Sequence, residues 1–285
     1  VIVLDLFSGL NGWSEPWKEA GHEVITLDIE PSFGADLRMD IVEFAKDPKG
    51  YIAYGPENGW GLPVDVVLAS PPCESFSVMT IGRNWTVDHI PKTERAVKAV
   101  EWVKATLEVI DILRPAYWVM ENPRAKLRKL DFMQPYGRRT VTYCRLGERF
   151  MKPTDLWGGF PPSLMLPEMC KNGNPDHISA ARGSKTGTQT SVLTPAMRER
   201  LEKMGPKTTR TKFQGGMISD MSRFPSWSPE RTQLSALRAK IPEQLARMVM
   251  EAAVMDFRPS YERGEWDSTV LEWRPVSDER RASDE

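Results

Sequence analysis

From Val1 to Arg124 the chain alternates short apolar runs with longer stretches whose apolar positions recur every three or four residues. Val1-Ile2-Val3-Leu4, Glu23 to Leu27, Val64 to Ala69 and Ala116 to Met120 are four to six residues long, the length of strands buried on both faces rather than of helices. Between them, Trp13 to Ala20 and Glu94 to Leu113 read as helices. The second presents Val97, Val100, Val103, Leu107, Ile110 and Leu113 as a core-facing stripe. Strands alternating with helices predict βαβ units on a parallel sheet, hence an α/β fold. Thr140 to Leu146 is expected as a further strand, and Pro242 to Phe257 as a late helix with Leu245, Val249, Ala252 and Ala253 inward.

Between Trp157 and Trp227 the pattern dissolves into Gly, Pro, Ser, Thr and basic residues. Only Pro195 to Met204 looks helical there, with Thr194 as its cap. The 285 residues therefore divide into 1–157, a catalytic sheet domain; 158–231, a loop-rich region; 232–258, a final helix returning to the first domain; and 259–285, an acidic tail. The formal net charge of −1 conceals an uneven distribution. Gly158 to Arg231 holds 11 Lys and Arg against 6 Asp and Glu, whereas Glu262 to Glu285 holds 4 against 8. Basic groups concentrated in one segment are what a phosphate-tracking surface needs.

No apolar run is long enough to span a bilayer, and no leader-like segment precedes the first strand, so no membrane partner is expected. Three widely spaced cysteines, Cys73, Cys144 and Cys170, do not make a disulfide framework. A reducing, cytoplasmic setting and a monomer are expected. The chain opens at Val1 inside an apparent strand, which implies that an initiator methionine and a few residues precede it.

Two strand ends carry the reactive groups. Pro71 and Pro72 stop the third apolar run and leave Cys73 on a rigid loop. Pro123 is expected to end the next run directly after Glu121 and Asn122. In open α/β sheets the carboxyl ends of strands are where ligands bind, so a thiol nucleophile and a carboxyl group fall at one edge. Asp5-Leu6-Phe7-Ser8-Gly9-Leu10-Asn11-Gly12 follows the first strand, but it contains neither G-x-G-x-x-G nor a Walker lysine. Asp28-Ile29-Glu30 closes the second strand, and Asp40 stands near the expected end of the following one. Carboxylates after successive strands beside Phe7 suit an adenosine ligand without phosphates, which describes S-adenosyl-L-methionine.

Asp5-Leu6-Phe7-Ser8-Gly9, Asp28-Ile29-Glu30, Asp40-Ile41, Pro71-Pro72-Cys73-Glu74-Ser75-Phe76-Ser77 and Glu121-Asn122-Pro123 together resemble, in order and spacing, the motifs of DNA (cytosine-5)-methyltransferases. The likeness covers about the first 125 residues, and the compact form resembles the small enzymes of bacteriophages and prophages. It implies a Rossmann-like S-adenosyl-L-methionine-dependent methyltransferase sheet, a small target-recognition region over 158–231, and a flipped cytosine in duplex DNA. It also implies Cys73 as nucleophile at carbon 6 and Glu121 as the residue holding ring nitrogen 3 and the exocyclic amine. Lys152 stands at one arginine of the family's Gln-x-Arg-x-Arg strand, and Thr154 at the other. Cofactor contacts are implied at Asp5, Phe7, Ser8, Gly9, Leu10, Gly12, Asp28, Ile29, Asp40, Ile41 and Pro72.

The second half departs from the family pattern. Arg238-Ala239-Lys240-Ile241-Pro242 replaces the late Gly-Asn-Ser-Val motif, and its cations are suited to a carboxylate, which admits a donor bearing an extra carboxylate as an alternative. An RNA cytosine-5 methyltransferase and a catalytically impaired DNA-binding relative are the competing readings; retention of both Cys73 and Glu121 argues against the latter. Cys170 and His177 are too few for a structural zinc site. Cys73 lacks the Pro-Cys-x-x-Cys and His-x-Glu partners of a zinc deaminase. Trp85, on the loop after Cys73, is expected to move when DNA binds.

Overall fold

The computed structural model describes residues 1–53, 63–78, 80–148, 151–171 and 239–257, the isolated positions 199, 203 and 229, and the backbone of 265–267 and 272–274. The chain divides into two compact units: Val1–Thr140, Thr154–Leu166 and Glu243–Glu285 form the first, and Val141–Pro153 with Pro167–Pro242 form the second. Residues 141–153, placed by sequence in the first domain, thus group with the second unit. Among the described residues no helix is long and apolar enough to cross a membrane.

A six-stranded sheet runs in the order β2 (Glu23–Leu27), β1 (Ile2–Leu6), β3 (Val66–Ala69), β4 (Tyr117–Pro123), β6 (Pro153–Gly159), β5 (Arg138–Thr142). β1 to β4 pair in parallel, as the apolar runs predict, and every residue of β3 is buried. The sheet is nonetheless mixed, because β6 pairs antiparallel with β4. That pairing carries β4 past Met120 to Pro123, opposite Thr154, where the strand ends as expected. Proline is tolerated where its missing N–H is not needed for the ladder. β6 comes close only because Gly158 has no side chain: a Cβ there would lie 2.1 Å from the Trp118 carbonyl oxygen. The strand expected over Thr140 to Leu146 lies earlier, and Tyr143–Arg145 winds into a 3₁₀ turn instead.

α1 (Ser14–Glu19), α2 (Ile41–Phe44), α3 (Pro48–Ala53), α4 (Ile81–Asn84), α5 (Glu94–Leu113) and α6 (Glu243–Asp256) surround the sheet strands in sequence. α5 is capped by Thr93, whose hydroxyl accepts from the Ala96 N–H at 3.2 Å, and ends at Arg114 in a left-handed conformation. Its buried face is Ala96, Ala99, Val103, Thr106, Ile110 and Leu113, so the stripe read in the sequence holds at Val103, Ile110 and Leu113 but not at Val97, which is 54% exposed. Small alanines let α5 approach α2 and α3 closely, which leaves the bulkier Val97 outside. α6 buries Leu245, Val249, Ala252 and Ala253 as expected and packs on α1. A short antiparallel pair, β7 (Glu265–Asp267) and β8 (Glu272–Arg274), follows in the tail.

In the second unit, the Cys170 N–H donates to Thr142 Oγ1 at 2.9 Å and the thiols of Cys144 and Cys170 meet. Burial pushes the Cys144 thiol up. Glu199 and Lys203 are helical and paired at 2.7 Å, within the helix expected over Pro195 to Met204. The rest of that helix, the basic loops, His177 and Arg238 lie outside the described residues.

Candidate active site

The first turn after β1 is built on unusual backbone. Phe7, Gly9 and Asn11 take φ values of 59°, 51° and 56°, and a bulky Phe in that region persists only where its surroundings over-determine it. Asp28 supplies that determination from the end of β2. Its Oδ2 accepts from the Gly9 N–H at 3.0 Å, and its Oδ1 accepts from the Glu30 N–H at 2.9 Å. Asp28 therefore ties the turn after β1 with one oxygen and its own segment with the other. Ile29 beside it is 58% exposed, an apolar surface next to the strand end.

Asp5 is fully buried at the C-terminal part of β1 and accepts a hydrogen bond from the Ser14 hydroxyl through Oδ2. Burial pushes its carboxyl up to about 7, with Ser14 and the more distant Lys18 opposing the rise. Burial likewise raises the Asp28 carboxyl. Asp5 Oδ1 and Ser8 Oγ are buried oxygens with no hydrogen-bond partner among the described residues. Groups of that kind fit a ligand that brings its own donors to the turn.

Asp40 does not follow a strand. Leu37 makes only an isolated bridge with Leu27, and Asp40 caps α2, its Oδ1 accepting from the Val42 N–H at 2.9 Å. The other oxygen lies 3.4 Å from Trp102 Nε1 and 3.5 Å from Lys98 Nζ on α5. Only Arg38 and Met39 separate that bridge from Asp40 and the start of α2, which leaves no backbone for a longer parallel ladder. Ile41 is buried at the first position of the helix.

Past the last pair of β3 with β4, Ala69 with Met120, the chain of β3 leads to Cys73 on a loop, and β4 continues directly into Glu121 at the same end of the sheet. Glu121 is 3% exposed and pairs by backbone with Leu156 of β6. Cys73 is half-buried and opens a turn in which its carbonyl accepts from the N–H groups of Phe76 and Ser77 at 3.1 and 3.0 Å. The two segments are joined by Asn122, whose Nδ2 donates to the Pro71 carbonyl at 3.0 Å. Sequence reasoning named Asn122 in a motif but gave it no role; its place directly after Glu121 was the available signal. Pro72 is exposed.

No family model matches the chain. The chain is 29% identical over 181 residues to the "Probable DNA (cytosine-5)-methyltransferase" of Frog virus 3 (isolate Goorha), covering 60% of this chain and 78% of that one. It is 30% identical over 128 residues to the type II methyltransferase M1.HphI of Haemophilus parahaemolyticus, covering 43% of this chain and about a third (32%) of that enzyme. By sequence the chain is thus similar to proteins named DNA (cytosine-5)-methyltransferase and type II methyltransferase. Its fold is that of a solved protein assigned as a DNA modification methyltransferase encoded within an E. coli prophage, at a TM-score of 0.52 and 12% identity, covering 90% of this chain and 99% of that one. The α/β methyltransferase fold expected from the sequence is thereby established.

Thr154 is fully buried on β6, opposite Pro123. Lys152 belongs to the second unit, where its ammonium lies 4.4 Å from the Tyr143 ring centroid and 3.5 Å from the Tyr143 hydroxyl. Trp85 is buried at 3% exposure, donating from Nε1 to the Ser75 carbonyl at 2.8 Å. Lys126 is equally buried, and nothing in its sequence surroundings marked it.

Proposed function

We propose that this chain transfers a methyl group from S-adenosyl-L-methionine to carbon 5 of cytosine in duplex DNA, through a covalent adduct of Cys73 at carbon 6. The observation that carries the reading is the pairing of Cys73 and Glu121 at one edge of adjacent strands, joined by the Asn122 to Pro71 hydrogen bond. Carbon 5 of cytosine is a weak nucleophile until carbon 6 carries an added group, and a thiolate both adds and leaves readily. A free thiol, with a pKa of about 8.5, is only a few per cent ionised at neutral pH, so the acceptor ring must help draw the addition forward.

In the reaction, the Cys73 thiolate forms an S–C6 bond while ring nitrogen 3 takes a proton or a strong hydrogen bond from the Glu121 carboxyl. Glu121 does this from a site closed to bulk water, at 3% exposure. The donor, when bound, supplies an electrophilic methyl group for carbon 5. Loss of the carbon 5 proton to a base then lets the S–C6 bond break, and Cys73 departs as the thiolate. The turn of Phe7 to Gly12 with Asp28, Ile29, Asp40 and Ile41 would hold the donor, and the unpartnered oxygens of Asp5 and Ser8 support that fit. Lys152 is assigned to the cytosine oxygen or its phosphate, residues 1–157 with 232–258 to catalysis, and 158–231 to duplex DNA. Binding by that basic region offsets the few kcal/mol needed to extrude a base.

The test is a trap. Duplex DNA containing 5-fluorocytosine cannot lose its carbon 5 substituent as a proton, so with donor present it should stay attached to the protein on a denaturing gel. A Cys73→Ser variant should give no adduct. Absence of adduct from the unaltered protein on mixed-sequence DNA, or its presence with Cys73→Ser, would overturn the reading. Adduct on fluorocytosine RNA alone would move the substrate to RNA.

A further inference from the structure

We infer that Lys126 is a positioning residue that latches the segment carrying Cys73 onto the turn that follows Glu121. The inference rests on the reading of Cys73 and Glu121 as partners in one reaction. Lys126 lies five residues after Glu121, and two bonds run from it to the cysteine segment. Its N–H donates to the Phe76 carbonyl at 3.0 Å, three residues beyond Cys73. Its ammonium lies 2.6 Å from His89 Nδ1 and 5.1 Å from the Trp85 ring centroid. An ammonium has only donors, so it is the donor of this pair and Nδ1 the acceptor.

The ring under the ammonium leads back to the cysteine. Trp85 donates to the Ser75 carbonyl at 2.8 Å and packs on Phe76 at 5.7 Å between centroids. Asn84 donates to the same carbonyl at 3.4 Å, and the Lys92 N–H donates to the Asn84 carbonyl at 2.7 Å. Residues 75 to 92 are thus one hydrogen-bonded body, with Cys73 at its entrance and Lys126 as its tie to the β4 side. Asn122 makes the other tie, to Pro71, so Cys73 is bracketed by two contacts from the strand that bears Glu121.

A stability role alone does not account for this lysine. It is 3% exposed, burial pushes its pKa down, and no carboxylate forms an ion pair with it among the described residues. A buried ammonium offset by only an imidazole nitrogen and a ring face is costly to desolvate, and a methionine would fill the same space without that cost. His89 moreover holds φ at 66°, a region few L residues adopt, while its side chain reaches the ammonium from the exposed side. Both features set the position of the 75 to 92 body rather than filling a core.

The test reads Cys73 directly, with no need for turnover. In the full-length chain without DNA or donor, peptide-resolved alkylation of Cys73 by iodoacetamide is compared among the unaltered protein, Lys126→Met, His89→Asn and Lys126→Arg. Loss of the latch should raise the alkylation rate about threefold or more in Lys126→Met and His89→Asn, with Lys126→Arg closer to the unaltered protein, because a freed segment opens locally. On cytosine DNA, Lys126→Met should lower kcat about tenfold or more while KM for S-adenosyl-L-methionine stays within about twofold. Unchanged alkylation in folded Lys126→Met, or in His89→Asn should the former not fold, would overturn the latch. A failed fluorocytosine trap with the unaltered protein removes the reaction yet leaves the alkylation comparison standing, so the two failures are distinct.

Discussion

Asp5 shows how one buried carboxyl couples the candidate donor turn to pH. Its pKa in the folded chain is about 7, against an unfolded value of 3.8, because burial outweighs the Ser14 hydrogen bond. Between those values the folded state holds a proton that the unfolded state has released. The stability that this group contributes is therefore complete below about pH 4 and is lost as pH rises towards 7. An Asp5→Asn variant keeps the shape and can bond Ser14 without ionising. Relative to the unaltered protein, it should gain about 2 to 3 kcal/mol of unfolding free energy between pH 5 and pH 8 in urea titrations, from a shift of about three pKa units partly sampled by that window. Equal pH slopes for the two proteins would show that Asp5 is already ionised at pH 5. Ser8 Oγ lies in the same turn without a hydrogen-bond partner among the described residues, so the proposed donor site and the Asp5 proton share one small polar region.

At the scale of elements, the central constraint is the approach of β6 to β4. The Gly158 backbone stands opposite Val119, and a Cβ added to it would collide with the Trp118 carbonyl oxygen, which is main chain and cannot swing aside. Gly158→Ala should consequently destabilise the first unit by about 1 to 3 kcal/mol or more, seen as a lower urea midpoint. A change within a few tenths of a kcal/mol would mean that β6 shifts along or away from β4 at little cost. This strand is also where sequence reading was weakest. The parallel strands β1 to β4 are legible because burial on both faces demands uninterrupted Val, Ile and Leu, whereas β6 (Pro153–Gly159) mixes Pro, Thr, Asp and Gly. Its Asp155 is fully buried, held by Arg128 and by Thr140 at 2.7 Å, a polar arrangement that only the folded chain explains. On α5 the stripe holds at Val103, Ile110 and Leu113, with Val100 and Leu107 packed beside them, while Val97 is left out and Ala96 and Ala99 are buried in the first turns. The placement of Cys73 and Glu121 at one end of the sheet was legible from prolines and apolar runs, but the hydrogen bonds of Asn122 and Lys126 reach partners some fifty and forty residues away in sequence.

For the whole molecule, a net charge of −1 would bind a polyanion poorly if it were evenly spread, so duplex DNA must meet a local concentration of cations. The stretch from Gly158 to Arg231, with 11 Lys and Arg against 6 Asp and Glu, is the region where the proposal puts that contact. Each phosphate neutralised by a lysine or arginine releases condensed counterions and adds about 0.9 to the magnitude of the slope of log K against log salt. Replacing Lys207, Arg210 and Lys212 together with alanine should reduce that slope by about 1 to 3, depending on how many of the three reach phosphates, and weaken binding to all duplex sequences alike. Neutralising Asp278 and Glu279 in the acidic tail is the control for a nonspecific change of net charge. It shifts the total by two charges, opposite in sign to the three removed from the basic segment, and touches no phosphate, so the slope should hold. If the two variants change the slope equally, or neither does, the basic segment is not the phosphate-tracking surface, and the energy needed to extrude a cytosine must come from another part of the chain.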